Sequence, residues 1–382
     1  MNVLMLLDHP FISDNRVEKE AVSLTKAGHH VTVLAEVEDD LEKNEQRNEF
    51  SIIRIFTGEY KKYFKQKYIK EVSKSILQLE FDVLHCHDYH MLQIGSYIKS
   101  VRPEKILIYD SHEYLRGWKI YKGSQSLLNR VKGYLVWKKE ILNEKRAAKK
   151  ADFIVTVTKP IANLLKKNFQ LKEAPLVVHN FIDTTSNDKY DKNYLRNTFN
   201  IPNDKLIVAH IGNIYLELNK IDFFIKSICS SESIALVFIG NSKKFLNLKQ
   251  HYKNNSSVYF HDYLNQPENI KTLSSSDVGI VKIDINDLSH LNGLTNRYVE
   301  YTIAGLAVVS NRQKGIMVLN ENIQNVVFYE HDKDIPKAID KVLEQKNELL
   351  TNAKNNAHLL SWKTEAEKLI NLYKTLEKLK NE

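Results

Sequence analysis

The chain is poor in cysteine: Cys86 and Cys229 are the only two among 382 residues. Such a pair supplies neither a disulfide framework nor a thiolate cluster for a metal, and it fits a reducing, cytoplasmic setting. No eighteen apolar residues run together, so no membrane-spanning helix is expected. The opening run from Asn2 to Leu7 reaches Asp8 at once and lacks a basic start, so no secretory signal is expected there. Glycine and proline number only 12 and 7, and neither a short repeat nor a low-complexity tract interrupts the chain. What it has in excess is positive charge, 55 Lys and Arg against 47 Asp and Glu, for a formal net charge of +8. That balance favours an anionic partner, which a nucleotide, an acidic lipid surface or a nucleic acid would satisfy. Hydrophobic and charged fractions of 43% and 27% describe an otherwise ordinary globular protein.

A length of 382 residues exceeds what one hydrophobic core serves, so two domains are expected. Short apolar runs alternate with amphipathic stretches, the pattern of parallel strands covered by helices. In the first half the expected strands are Val3–Leu7, Val31–Ala35, Ile52–Phe56, Val83–Cys86, Ile106–Tyr109 and Phe153–Val157, with helices beginning near Asn15, Ser73 and Tyr89 and again before Ala148. The polar, turn-rich stretch after Asp183 reads as a linker. A second cycle follows, with strands at Leu206–Ile211, Ala235–Ile239, Val258–Phe260, Val278–Lys282, Ala307–Ser310 and Val326–Tyr329, and helices at Asp222–Ser230, Gln266–Ser274, Asn296–Ala304 and Ile335–Asn355. The expectation is α/β, with two Rossmann-like domains at 1–184 and 185–360. Ligands in such sheets bind at the carboxyl ends of the strands. A last amphipathic helix covers Trp362 to Leu379.

Residues 295–309 are the most informative. Thr295 and Asn296 are helix-capping types, and the free N–H groups of a first helical turn form a phosphate site. Glu300 lies one turn further along the same face, where its two oxygens could accept both hydroxyls of a ribose. Val299, Ile303 and Leu306 form the opposite, core-facing stripe. Taken alone, the same pattern also fits an amphipathic helix with an ordinary Arg297–Glu300 surface pair.

Other constellations sit where strands end. Ile108 to Glu113 carries an apolar strand into Asp110, His112 and Glu113, whereas His112 alone also fits a residue capping a strand turn. His85, Cys86, His87 and Asp88 suggest a metal by composition, but consecutive residues of a strand alternate sides and cannot all face one ion, so no metal site is expected. Asp14, Asn15 and Arg16 open a helix that reaches Gly28, with Asp14 equally readable as its cap. Between Tyr114 and Lys150, Leu115, Trp118, Ile120, Tyr121, Leu127, Leu128, Tyr134, Leu135 and Trp137 are interleaved with basic residues, a mix that suits an anionic membrane surface or a helix pair whose aromatics pack inward. No nucleic-acid module signature accompanies them.

The order of residues 295–309 resembles the nucleotide-binding segment of the GT-B glycosyltransferases of family 4, N-K-x-x-E-Y-x-A-x-G-x-P-V-V, with Arg297 for the usual lysine and Ala307 for the usual proline. Three further stretches resemble the family in the same order: "D-x-R-V-x-x-E-A" from Asp14, "H-x-H-D" at His85 to Asp88, and "D-x-H-E" at Asp110 to Glu113. The resemblance spans nearly the whole chain. It implies a GT-B architecture of two Rossmann-like domains facing a central cleft, the last helix packing back on the first domain. It also implies a retaining, metal-independent transfer of a sugar from a nucleoside-diphosphate sugar to a hydroxyl of a glycan or lipid-linked acceptor, with no cofactor.

By that resemblance His112 acts on the donor sugar, and Arg297 and Lys220 neutralise the diphosphate. Gly212 and Asn213 match a position where the family often has G-R, and Asn296, Thr295 and Glu300 complete the nucleotide contacts. The family commonly has a glutamate at the position of Asn292, so Asn292, Gly293 and Leu294 become the candidate sugar contacts and the donor sugar stays open. The family's glycine-rich first loop is absent, which makes Asp14, Asn15 and Arg16 acceptor-side candidates, together with His87, Asp88 and Glu113. Two other readings remain at this point: a nucleotide-sugar epimerase of the same architecture, and a non-catalytic nucleotide-sugar-binding subunit.

Overall fold

The computed structural model describes residues 1–47, 49–57, 65–117, 126–182, 191–212 and 218–381. The chain forms two compact units, one of Met1–Asn180 with Asp287–Gly293 and Lys363–Glu382, the other of Phe181–Asn286 with Leu294–Trp362. Most of the linker after Asp183, the expected donor contact Asn213 and three aromatic or apolar residues, Trp118, Ile120 and Tyr121, lie outside the described residues.

In the first unit the strands are β1 (Asn2–Leu6), β2 (His30–Glu36), β3 (Asn44–Arg47), β4 (Phe50–Phe56), β5 (Val83–His87), β6 (Ile106–Ser111), β7 (Phe153–Thr156) and β8 (Leu176–Val177). They form one sheet in the order β3-β4-β2-β1-β5-β6-β7-β8. All pair in parallel except β3, which runs antiparallel to β4 at the edge. β5 is buried at every position, as a strand covered by helices on both faces must be. The second unit has β9 (Leu206–Ile211), β10 (Ile234–Gly240), β11 (Val258–Asp262), β12 (Val278–Val281), β13 (Ala307–Asn311) and β14 (Val326–Tyr329), in the order β11-β10-β9-β12-β13-β14. Alternation along β9 and β10 sends Leu206, Val208, Leu236 and Phe238 into one core and Ile207, Ala209, Val237 and Ile239 into another, one on each face.

The apolar strands fall where periodicity puts them; the differences lie in polar or short elements. β3 is entirely polar and was not expected. The helix expected near Ser73 runs from Lys65 to Ile76, that expected at Asp222–Ser230 runs from Leu218 to Ile228, and Ile335–Asn355 is broken at Gln345 into Ile335–Glu344 and Lys346–Asn356. Helices at Lys159–Phe169, Tyr194–Phe199, Lys243–His251, Leu288–Asn292 and Lys314–Ile323 are additional.

The short helix Leu288–Asn292 packs in the first unit, not with the second half of the chain where the sequence reading puts it. Leu288 lies against the first unit's core. The Tyr114 N–H donates to Ser289 Oγ at 3.1 Å, and Thr158 Oγ1 donates to the Asn292 carbonyl at 2.7 Å. Gly117 makes this approach possible, because a Cβ there would stand 2.4 Å from the Ser289 nitrogen.

Candidate active site

In the first unit, ionisable side chains converge at the carboxyl ends of β5 and β6. His85 and His87 share one face of β5 while Leu84 and Cys86 enter the core behind it. Their rings stack at 4.7 Å, and strand register sets His87 beside Asp110 of β6. The helix Asn15–Lys26 presents Arg16 and Glu20 one turn apart on the same face. Arg16 Nη2 donates to both Asp110 oxygens at 2.9 and 3.2 Å, Nη1 donates to the Val178 carbonyl at 2.7 Å, and Nε lies 3.0 Å from Glu20 Oε1. Arg16 is therefore buried and ion-paired with both carboxylates. Its expected acceptor-side role gives way to that of a cation holding Asp110 and Glu20.

His112 stands over this cluster. Its Nε2 lies 3.0 Å from His87 Nδ1 and 3.4 Å from Asp110 Oδ2, and its Nδ1 lies 3.6 Å from Asp88 Oδ2. Asp88 Oδ1 also accepts the His112 backbone N–H at 3.0 Å. Burial opposes charge on His112, but the Asp88 and Asp110 carboxylates outweigh it and raise its pKa to about 9. Burial, together with the neighbouring imidazoles His85 and His112, pushes His87 well below the usual histidine range. The proton accordingly resides on His112, whose Nε2–H donates to a neutral His87. Burial raises Asp88 to about 6 against the pull of His112. Burial likewise works against the charge on Asp110, yet the Arg16 guanidinium and His112 hold it well below the usual carboxylate range. The arrangement presents a positive imidazole, half-buried, that can donate a hydrogen bond or offset negative charge.

Asp88 opens the helix Asp88–Val101 with a φ of +61°, a conformation that aspartate tolerates better than most side chains. Asp14 caps the helix Asn15–Lys26 by accepting from the Arg16 and Val17 N–H groups at 3.0 and 3.1 Å, and its Oδ2 lies 3.2 Å from His9 Nε2. Asn15 and Glu113 are exposed. The Glu113 carbonyl accepts from Ser111 Oγ at 2.9 Å.

Glu20, His85, His87 and Asp110 bring one ligand atom each to within 4.8 Å of one another, a spacing able to hold a metal ion. Sequence spacing did not reveal it, because Glu20 and Asp110 come from a helix and a second strand. The donor set is already countered by a fixed cation: the Arg16 guanidinium contacts both carboxylates that a metal would need.

In the second unit, the helix Asn296–Ile303 is anchored by Tyr301, whose hydroxyl accepts from the Ile211 N–H at 3.0 Å and donates to the Ile280 carbonyl at 3.2 Å. This ties the helix to the ends of β9 and β12. Thr295 is the N-cap, its N–H donating to Gln313 Oε1 at 3.1 Å, and Asn296 is exposed. Gly212 follows β9 with a φ of +91°, and a Cβ there would sit 3.6 Å from Arg297 Nε. Only glycine takes that conformation without strain, which leaves the guanidinium beside the bare backbone at the strand end. Lys220 is exposed in the helix Leu218–Ile228, and Leu294 packs partly buried against the core.

Glu300 is buried on this helix. Its Oε1 accepts from Asn269 Nδ2 at 3.0 Å and Gln266 Nε2 at 3.4 Å. Burial pushes its pKa up to about 7, against these two hydrogen bonds and Arg297. Asn292 and Gly293 belong to the first unit, where the Asn292 side chain donates to the Leu288 carbonyl at 2.7 Å. The Asn292 amide thus closes its own helical turn, and the residue lies in the first unit rather than in the second half where the sequence reading places it.

Two family signatures match the chain, Glycosyltransferase Family 4 over residues 15–186 and Glycosyl transferases group 1 over residues 191–359. The chain is a family 4 glycosyltransferase. No curated protein matches this glycosyltransferase by sequence. Among solved structures it is similar to a sucrose-phosphate synthase from Thermosynechococcus elongatus, with a TM-score of 0.74 and 14% identity over 99% of this chain and 100% of that one. HepE of Anabaena in complex with UDP has a TM-score of 0.69 and 12% identity, covering 99% of this chain and 100% of that one. WaaG, described as a glycosyltransferase involved in lipopolysaccharide biosynthesis, has a TM-score of 0.67 and 15% identity over 97% and 99% of the two chains. These likenesses fix the enzyme's fold as a two-domain, Rossmann-like GT-B fold.

Glu20, His85 and Asp110, which carry the first cluster, stand in stretches the sequence reading singled out but received no site role there, whereas Asn269 and Gln266, which position Glu300 in the second, were missed. The one local signal was the i, i+4 spacing of Arg16 and Glu20.

Proposed function

We propose that this glycosyltransferase is a retaining, metal-independent enzyme that moves a sugar from a nucleoside-diphosphate sugar, with UDP as the favoured nucleotide, to a hydroxyl of a glycan or lipid-linked glycan acceptor. Envelope polysaccharide synthesis in the cytoplasm, at the inner face of the plasma membrane, is the setting we assign to it. The observation that carries the donor half is Glu300, a buried carboxylate one turn into a helix whose start lies beside Arg297 and Gly212. In this reading Glu300 accepts the two ribose hydroxyls, while Arg297, Lys220 and the first-turn N–H groups take the diphosphate. HepE structures with UDP and with UDP-glucose support the choice of donor.

During transfer the bond from the anomeric carbon to the diphosphate oxygen breaks, and a bond to the acceptor oxygen forms on the same face. The acceptor proton passes to the departing phosphate. Positive charge grows on the sugar and negative charge on the leaving group, so fixed cations aimed at the phosphates lower the barrier. His112, held protonated by Asp88 and Asp110, is a hydrogen-bond donor to the transferred sugar rather than a base.

Calorimetric titration with UDP tests the donor assignment. Glu300→Ala should weaken binding at least tenfold, and unchanged affinity would remove Glu300 from the site. Incubating UDP-glucose alone and following it by NMR separates transfer from epimerisation, since an epimerase converts the donor without any acceptor.

A further inference from the structure

The helix Leu127–Ala148 is 22 residues long, so it spans about 33 Å. Its second half is seated in the protein, with Ile141, Glu144, Ala147 and Ala148 buried. Its first half is not: from Ser126 to Lys132 every residue is exposed. Leu128, Val131, Leu135 and Leu142 follow one another at helical spacing on one face, and Leu127, Leu128 and Leu135 are 76%, 63% and 60% exposed. Single exposed leucines are common, but an aligned row of them is not.

Charge completes the pattern. The helix has two acidic residues, and both turn inward. Glu140 accepts the Tyr89 hydroxyl, and Glu144 accepts that of Tyr109 at 2.9 Å. The exposed charged groups of the helix are therefore all basic, Arg130, Lys132, Lys138, Lys139 and Arg146, and Asn129 is an exposed uncharged polar residue beside them. Lys138 Nζ stands 4.8 Å from the centre of the Tyr134 ring. Tyr134 and Trp137 are half-buried, so the aromatics expected at this surface lean towards the protein while the leucines face out.

We propose that this face is a docking surface for a bilayer containing anionic lipids, with Leu128, Val131, Leu135 and Leu142 entering the headgroup boundary and the flanking Lys and Arg side chains contacting lipid phosphates. Row and charge together select this occupant. A nucleic acid would use the cations and leave the leucines in water, and a neutral apolar partner would leave the cations unmatched. Attachment is peripheral, since among the described residues no helix is long and apolar enough to cross a membrane. Each basic residue at an anionic surface strengthens binding about fivefold, so the interaction is steeply salt-dependent. The proposal deepens the reading of a lipid-linked acceptor, although its evidence is this helix alone.

Co-sedimentation of the full chain with extruded vesicles, without donor or acceptor, tests it. The wild-type protein should pellet with phosphatidylcholine–phosphatidylglycerol vesicles at low salt, and remain in solution with phosphatidylcholine alone or at high salt. Leu128→Ser with Leu135→Ser, and separately Lys132→Glu with Lys139→Glu, should each lower the bound fraction at least tenfold. All these positions are exposed, so circular dichroism and UDP affinity should stay unchanged. Undiminished pelleting of both double variants, equal binding to neutral vesicles, or tighter binding to an RNA oligomer than to anionic vesicles would overturn the proposal. Vesicle binding without any affinity for UDP would instead defeat the donor reading and leave the docking surface standing.

Discussion

The two clusters of titratable groups handle buried negative charge in opposite ways. In the first unit, Asp110 and Glu20 meet the Arg16 guanidinium, and Asp110 meets a protonated His112 as well. In the second unit, Glu300 is buried against the neutral amides of Asn269 and Gln266. In the first cluster each carboxylate already faces a protein cation, Asp110 two and Glu20 one, although burial still raises the Glu20 pKa. The second holds a carboxylate that burial pushes to a pKa of about 7, and that gains strong partners only when donors such as sugar hydroxyls reach it. A carboxylate matched by a fixed cation is a prearranged charge; one matched only by neutral amides is open to a ligand.

The largest expected effect follows from removing the cation of the first cluster. Arg16→Met should cost about 3–5 kcal/mol of folding stability in urea denaturation, because it strands two buried carboxylates. A loss below about 1 kcal/mol would mean that the network is not the structural element described. Next is His112→Asn, for which turnover should fall about a hundredfold with UDP affinity nearly unchanged. In the wild type, activity should decline as pH rises through about 9, where the imidazole loses its proton. A rate independent of pH between 7 and about 10 would remove the cationic role.

Glu300 supplies the sharpest contrast, because substituting it should improve folding. Its folded pKa of about 7 is above the model-peptide range, so its contribution to stability is fully present at low pH and is lost as pH rises through about 7. Glu300→Gln should therefore raise the stability of the ligand-free enzyme by about 1–2 kcal/mol at pH 8, have little effect at pH 4, and still lose affinity for UDP. Denaturation at the two pH values checks this; a variant destabilised at pH 8 would equate the two clusters. The smallest effect is expected of chelation. With Arg16 between the carboxylates, dialysis against EDTA should leave transfer unchanged, and restoration of lost activity by a divalent ion would show a metal among Glu20, His85, His87 and Asp110.

What could be read from the sequence follows from how local the cause is. β9 starts and ends where its largely apolar run does, because a strand buried on both faces has few polar residues to offer. β3, with Asn44, Glu45, Gln46 and Arg47, carries no such mark, since only its pairing with β4 makes it a strand. The same division holds for the sites. His112 and Glu300 stand in short contiguous patterns. Asp110 faces Arg16 across 94 residues of chain, and Asn269 reaches Glu300 across 31, so nothing local announces either pair. Leu288–Asn292 escaped for a related reason: a five-residue helix is too short to show periodicity, and its place in the first unit depends on Gly117, Tyr114 and Thr158, far away in sequence.

Asp88 carries a consequence for anyone who would evolve this enzyme for heat resistance. Its backbone sits at a φ of +61°, which glycine would adopt without strain, and its half-buried carboxyl has a pKa raised to about 6 by desolvation. Both features penalise the native residue, so a screen that rewards only survival at high temperature would enrich Asp88→Gly and Asp88→Asn. Those clones would lose the group that orients His112 and keeps it charged. Selection for durability and selection for turnover pull this one codon in opposite directions, and a library scored on both traits would show the trade-off there first.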